Sequence, residues 1–317
     1  MKILKTTAIL LGAVGLLHLG AKAAANLIQK NPDPYPFEQL RQEPPGETVF
    51  IRRADGTQIR AKVQGTGPTV VLAHGFAISL LEWNILWVSL QQAGYRVIAF
   101  DQRGHGQSTI GTDGLSSATM AGDYKAVLEH FDVREGILVG HSMGSFLSVV
   151  FLLTHPDVAA ARLKGVVLVA GMAGNVLVGA PQNQVQIPLI KAGVIQWVAR
   201  SATYKWFFGA SVYGQNPSPA GIRVFCEVFD EQAHQQLIPI LDGMAQEDYY
   251  DRLGEINVPC VVVCGRADKT TPPWHSIELG QRISQAHNVW VEGKGHLLNW
   301  EAPDVLFDAI QSLQRKS

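Results

Sequence analysis

Short, mostly apolar runs rich in Val and Ile recur along the chain: Val70 to Ala73, Arg96 to Phe100, Gly136 to Val139, Val166 to Ala170 and Pro259 to Cys264. Helical patterns lie between them. A strand covered on both faces carries a continuous apolar run, because neither side meets water. Such runs alternating with helices predict an α/β fold, a mostly parallel sheet flanked by helices. Ahead of them, Thr48 to Arg53 and Thr57 to Gln64 alternate polar and apolar residues across Ala54-Asp55-Gly56. Asp-Gly between two such runs predicts a hairpin.

The alternation stops over 172–253, where helical periodicity continues without a buried strand. This stretch holds Trp197, Tyr204, Trp206, Phe207, Phe208, Tyr213, Phe225 and Phe229. It reads as a helical cap inserted into the sheet-bearing unit, whose two parts are 48–171 and 254–317. The aromatic residues either form the cap's own core or line an apolar pocket beneath it.

The chain has 317 residues, enough for one α/β domain with an inserted subdomain. Lys+Arg 26 against Asp+Glu 27 leaves no basic excess, which argues against a nucleic-acid partner. The three cysteines, Cys226, Cys260 and Cys264, read as buried thiols, and no Cys/His spacing suggests zinc.

Residues 1–30 differ from the rest. Lys2, Lys5, Lys22 and Lys30 are their only charges, around an apolar stretch that includes Ile9-Leu10-Leu11 and Leu16-Leu17. A basic start, an apolar centre and Ala-x-Ala sites suit a signal peptide. An apolar helix extended from Ile3 to Ile28 suits a membrane anchor instead. Either one predicts a membrane-associated or exported protein, with membrane contact through this segment. Residues 31–47 hold Pro32, Pro34, Pro36, Pro44 and Pro45 and read as an extended linker.

The run Gly136 to Val139 leads into Gly140-His141-Ser142-Met143-Gly144, a G-x-S-x-G pattern where a strand would end and a helix begin. A serine hydroxyl is a weak nucleophile, so the pattern calls for a histidine base and a carboxylate that orients it. His296 lies between Gly293-Lys294-Gly295 and a helix opening at Pro303, just after the strand-like run Asn288 to Val291. Asp268 follows the strand ending at Cys264. Ser142, Asp268 and His296 all fall at expected carboxyl ends of strands, where open α/β sheets carry their ligands. His275 is a rival base, and Asp242 and Asp248 are rival acids.

These motifs resemble the serine α/β-hydrolase family over about residues 48 to 313. His74-Gly75-Phe76 looks like the family's oxyanion loop, and Asp101-Gln102-Arg103-Gly104-His105-Gly106-Gln107-Ser108 like its D-x-R-G-x-G-x-S turn. The resemblance implies that Ser142, Asp268 and His296 form the catalytic triad. It also implies that the backbone N–H groups of Phe76 and Met143 form the oxyanion hole, with no metal or cofactor. The implied activity is hydrolysis of a carboxylic ester, a small-molecule or lipid substrate with an apolar acyl chain. Serine at the elbow departs from epoxide hydrolases and haloalkane dehalogenases, which carry aspartate there. His74-Gly75-Phe76-Ala77-Ile78 departs from the H-G-G-P-G of proline iminopeptidases. Cofactor-free perhydrolases, carbon–carbon hydrolases and acyltransferases share the triad and stay open as alternatives. A non-catalytic binding protein on the same fold is a remote one. An N-terminal membrane segment before a capped domain is similar in layout to membrane-bound monoacylglycerol lipases. His74, His105 and His141 are expected to be framework residues, and Asp101 and Arg103 a local ion pair.

Overall fold

The computed structural model describes residues 18–315. Eight strands form one sheet: β1 (Glu47–Arg52), β2 (Gln58–Gln64), β3 (Thr69–Ala73), β4 (Arg96–Phe100), β5 (Gly136–His141), β6 (Leu163–Val169), β7 (Cys260–Gly265) and β8 (Ala286–Val291). Their order is β1-β2-β4-β3-β5-β6-β7-β8. The hairpin partners β1 and β2 are antiparallel, and β2 joins β4 antiparallel. From β4 to β8 every pairing is parallel.

Helices cover both faces. They are α1 (residues 18–28), α2 (Phe37–Arg41), α3 (Asn84–Gln92), α4 (Ser117–His130), α5 (Met143–Thr154) and α6 (Pro156–Arg162). After β6 come α7 (Pro181–Lys191), α8 (Val194–Arg200), α9 (Lys205–Ala210), α10 (Pro219–Glu231) and α11 (Ile238–Gln246). The chain closes with α12 (Pro273–Arg282), α13 (Leu298–Glu301) and α14 (Pro303–Arg315). Successive strand side chains point to opposite faces, and the core divides accordingly. Val70, Leu72, Ile137 and Val139 pack with Trp87 of α3 and Leu306 and Ile310 of α14. Val71, Ala73 and Leu138 pack on the other face with Phe146 and Val150 of α5, in a core continuous with that of α7–α11. All three cysteines are buried, and burial pushes each thiol up to about 12.

Residues 31–47 hold more structure than the extended linker expected of them. The prolines stop at Pro36 and resume at Pro44, and the free stretch between forms α2 with Pro36 at its start. This segment is strapped to the protein. Asn84 Nδ2 donates to the carbonyls of Gln39, Leu40 and Gln42, and the Arg223 guanidinium lies 4.1 Å from the centre of the Phe37 ring. The anchor or signal peptide expected over 1–30 lies largely outside the described residues. Among the described residues no single helix is long and apolar enough to cross a membrane.

The expected ion pair between Asp101 and Arg103 does not form. Asp101 accepts from the N–H groups of Leu80 and Gln107 and pairs with Arg60 at 3.2 Å. Arg103 turns away and forks onto Asp123 at 2.8 and 2.9 Å, with Asp55 as its second partner. Two residues apart in a tight turn, the side chains diverge, and each buried charge finds partners distant in sequence.

The segment between α9 and α10 docks on the loop after β8. Val212 O accepts from the His296 N–H at 2.9 Å, and the Gln215 N–H donates to Gly293 O at 2.7 Å. The contact is backbone against backbone: a Cβ on Gly214 would lie 2.2 Å from Gly293 O. The Glu301 carboxylate closes it, accepting from the N–H groups of Gly214 and Gly295, each at 3.0 Å. Burial raises the Glu301 pKa to about 7, and those two donors and Lys294 offset only part of that. A folded pKa above the unfolded value means that the folded state holds the proton more tightly. The stabilisation is therefore complete below about pH 4.5 and is lost as pH rises through about 7. We expect wild-type stability, measured by urea unfolding relative to Glu301→Gln, to fall between pH 5 and 8. The fall should be on the order of 3 kcal/mol at most, above a constant offset for the amide donor that meets a backbone N–H. A difference that stays flat with pH would refute the assignment.

Candidate active site

Ser142 sits between β5 and α5 with φ +53° and ψ −113°, a backbone conformation rare for residues other than glycine. The turn is possible because its neighbours are bare. A Cβ on Gly144 would lie 2.3 Å from Ala73 O, and one on Gly140 would lie 2.4 Å from Gly144 O. The Ser142 N–H donates to Val169 O at 2.9 Å, which ties the elbow to β6. Ala77, in the loop after β3, also has a positive φ of +53°, a strain with no sequence signal.

The structure brings Asp268 and His296 together from the loops after β7 and β8. His296 Nδ1 lies 2.8 Å from Asp268 Oδ2. A carboxylate accepts, so this contact places a proton on Nδ1 and turns Nε2 away from Asp268. Burial alone would raise the Asp268 pKa. The His296 ring and the hydrogen bonds from Thr271 outweigh burial and hold it below the usual carboxylate range. Asp268 Oδ1 accepts from the N–H groups of Thr270 and Thr271 at 2.8 and 2.9 Å. Thr271 Oγ1 lies 2.9 Å from Asp268 Oδ2 and 3.2 Å from His296 Nδ1. Sequence reading missed Thr271. The signal was there, since an aspartate followed two and three residues on by threonine is a pattern for capping a turn.

Ser142, His296 and Phe76 open on one cavity between sheet and cap, which encloses about 770 Å³ of non-atom space with its solvent mouth included. Met143 is not among its walls, and its side chain is fully buried in the core. Its N–H, at the first turn of α5, is among those that a helix start leaves without an intrahelical acceptor. Among the described residues no hydrogen bond joins Ser142 to His296. The far walls are apolar and come from the cap: Ile187, Ile190, Phe208, Phe225, Phe229 and Met244. Phe208, Phe225 and Phe229 also pack on one another, with ring centres 5.0 to 6.0 Å apart. The two readings of the cap aromatics thus merge in these three. Trp197 and Phe207 instead face outward, 61% and 39% exposed.

The framework histidines have definite partners. His74 Nε2 accepts from the Gln102 N–H at 2.8 Å and Nδ1 lies 2.7 Å from Gly75 O, the pattern of a neutral ring. Burial pushes it down to about 4, and His105 to about 3. The rivals lie elsewhere. His275 Nδ1 meets the Tyr250 hydroxyl beneath the Trp274 ring, Asp242 pairs with Lys191, and Asp248 accepts from Asn175 and the Tyr250 N–H. Among the described residues no group of three His, Cys, Asp or Glu is arranged to hold a metal ion.

The family profile described as "Alpha/beta hydrolase family" matches residues 70–309. A non-heme haloperoxidase of Rhodococcus erythropolis is 30% identical over 240 residues, which span 72% of this chain and 85% of that protein. An esterase from Exiguobacterium antarcticum superposes with a TM-score of 0.74 at 21% identity, covering 84% of this chain and all of that one. A bromoperoxidase from Bacillus anthracis superposes with the same TM-score and identity, covering 85% of this chain and all of that one. These two solved structures share the fold. The family profile runs from β3 into α14, through both halves of the sheet and the cap between them, and the chain belongs to the alpha/beta hydrolase family.

Proposed function

We propose that this protein is a serine hydrolase that cleaves carboxylic esters with an apolar acyl chain. The observation that carries the reading is the 2.8 Å bond between His296 and Asp268, formed where His296 and Ser142 line the same apolar cavity. In this reading Ser142 Oγ attacks the ester carbonyl while His296 Nε2 takes its proton. Asp268 steadies the imidazolium, and the N–H groups of Phe76 and Met143 hold the oxyanion. His296 then protonates the leaving alcohol. Water, deprotonated by the same ring, clears the acyl-enzyme. The apolar walls from α7, α10 and α11 take the acyl chain. A bifunctional esterase/perhydrolase of Acinetobacter calcoaceticus, 27% identical over 235 residues, favours one second reading, in which hydrogen peroxide clears the acyl group to give a peracid.

Ser142→Ala should lower kcat/KM for p-nitrophenyl esters by at least about 10⁴-fold without loss of fold, and abolish fluorophosphonate labelling. Asp268→Asn should lower kcat by about 10⁴-fold. Retained turnover in Ser142→Ala would defeat the mechanism. Among esters of rising acyl length, kcat/KM should rise beyond acetate. Peracid formation from peroxide and a short carboxylic acid, if faster than ester hydrolysis, would select the second reading.

We also infer that the cap meets a lipid bilayer. A groove on its outer face is lined by Ala21 of α1 with Ile195, Trp197 and Phe207, and it shares Gln186 and Phe208 with the catalytic cavity. His18 Nδ1 lies 3.1 Å from the Tyr204 hydroxyl, which puts residue 18 beside this groove, and in sequence it follows a mostly apolar stretch whose only charged side chains are Lys2 and Lys5. Full-length protein should float with phosphatidylcholine vesicles containing phosphatidylglycerol, and Trp197→Asp/Phe207→Asp should reduce the bound fraction several-fold. Undiminished flotation of that double variant would remove the cap from the contact.

A further inference from the structure

Glu82 lies in the 3₁₀ turn Leu80–Trp83 and is fully buried, a carboxyl group inside an otherwise apolar run. Its two oxygens lie 3.1 and 3.0 Å from His141 Nδ1, and Oε1 also accepts from the Gly75 N–H at 3.1 Å. On the far side of the ring, His141 Nε2 lies 3.0 Å from the carbonyl oxygen of His296. A carbonyl only accepts, so Nε2 carries a proton. The edge of the ring system is closed by Trp83, whose plane stands at 85° to the imidazole. Asn299 Nδ2 donates to Glu82 O at 2.9 Å, which fixes the turn itself. Among the described residues the only basic side chain paired with Glu82 is His141. Burial alone would lower the His141 pKa, but the Glu82 carboxylate and the His296 carbonyl reverse that and raise it. A carboxylate removed from water is costly unless paired and hydrogen-bonded, so this one is held where its partners are.

The segments that this pair joins are those of the proposed reaction. Gly75 precedes Phe76, His141 precedes Ser142, and the carbonyl belongs to His296 itself. We propose that Glu82 and His141 are positioning residues that hold the oxyanion loop, the nucleophile elbow and the base loop in one frame. The inference rests on the Ser142–His296–Asp268 reading and deepens it. Glu82 sets the Gly75 peptide and through it the next amide, that of Phe76. His141 sets the backbone of His296 from the side opposite Val212. Both residues border the cavity that holds Ser142 and His296, and the role proposed for them is positional. Their effect is on geometry, to which rates respond steeply, since a displacement of about 1 Å can cost about a hundredfold.

Two substitutions separate reach from charge. Glu82→Asp keeps the charge but shortens the arm by one methylene, so the carboxylate cannot serve both Gly75 and His141. Glu82→Gln keeps the arm. Its Oε1 can accept from Gly75, and its amide N–H can donate to a neutral His141 that still donates from Nε2. We expect Glu82→Asp to lower kcat about ten- to a hundredfold with KM within about threefold of wild type, and Glu82→Gln to recover most of that loss. Rates are referred to active-site concentration titrated with a fluorophosphonate, so misfolded protein is not counted. The proposal fails if Glu82→Asp retains kcat within about twofold, or if its loss vanishes on that normalisation. It also fails if Glu82→Gln falls as far as Glu82→Asp, which would make charge the cause. Ser142→Ala is assayed alongside. Turnover there overturns the triad reading, whereas an inactive Ser142→Ala with an unaffected Glu82→Asp overturns the positioning pair alone.

Discussion

The close approach of α5 to β3 is the constraint on which the site depends. Gly144 leaves no room for a side chain against the Ala73 carbonyl, and Gly140 none against Gly144. Two backbones in contact force the chain to reverse within one residue, and that residue, Ser142, takes the strain as a positive φ. The turn is thereby pressed onto β3, whose following loop carries Gly75 and Phe76. A looser elbow would separate Ser142 from the loop of Gly75 and Phe76 by the thickness of a methyl group.

The cap has two physical roles. It supplies the apolar walls of the cavity, and its segment 212–215 also forms part of the frame around His296. Val212 O and Glu301 fix the loop of His296 from outside, while His141 holds the His296 carbonyl from within. His296 is here restrained through its backbone, which leaves the imidazole ring to the Asp268 carboxylate and the cavity.

Much of the architecture was legible because it rests on local rules. Continuous Val and Ile runs mark strands covered on both faces, and Asp-Gly marks the β1–β2 turn. Ser142, Asp268 and His296 stood out because each follows a strand-like run, and parallel strands deliver their carboxyl ends to one edge. Arg103 was misread because the partners of a buried guanidinium are chosen by space. Asp55 and Asp123 lie 48 and 20 residues away, whereas Asp101 is next but one. The region before β1 was misread because proline density was averaged over 31–47, although the Pro-free stretch inside it was enough for α2.

Glu82 and Thr271 show where sequence reading ends. A carboxyl group within Leu-Leu-Glu-Trp is visibly out of place, but nothing in the spacing names His141 as its partner 59 residues on. The sheet, the elbow and the residue types at three strand ends were legible from the chain alone, because these follow from periodicity, steric size and chain order. Which buried charges pair, which aromatic residues line the cavity, and how the cap and the 3₁₀ turn hold the loop of His296 were settled by three-dimensional packing. Those outcomes depend on distances between segments that are far apart along the chain, and each buried polar group must find a partner within about 3 Å.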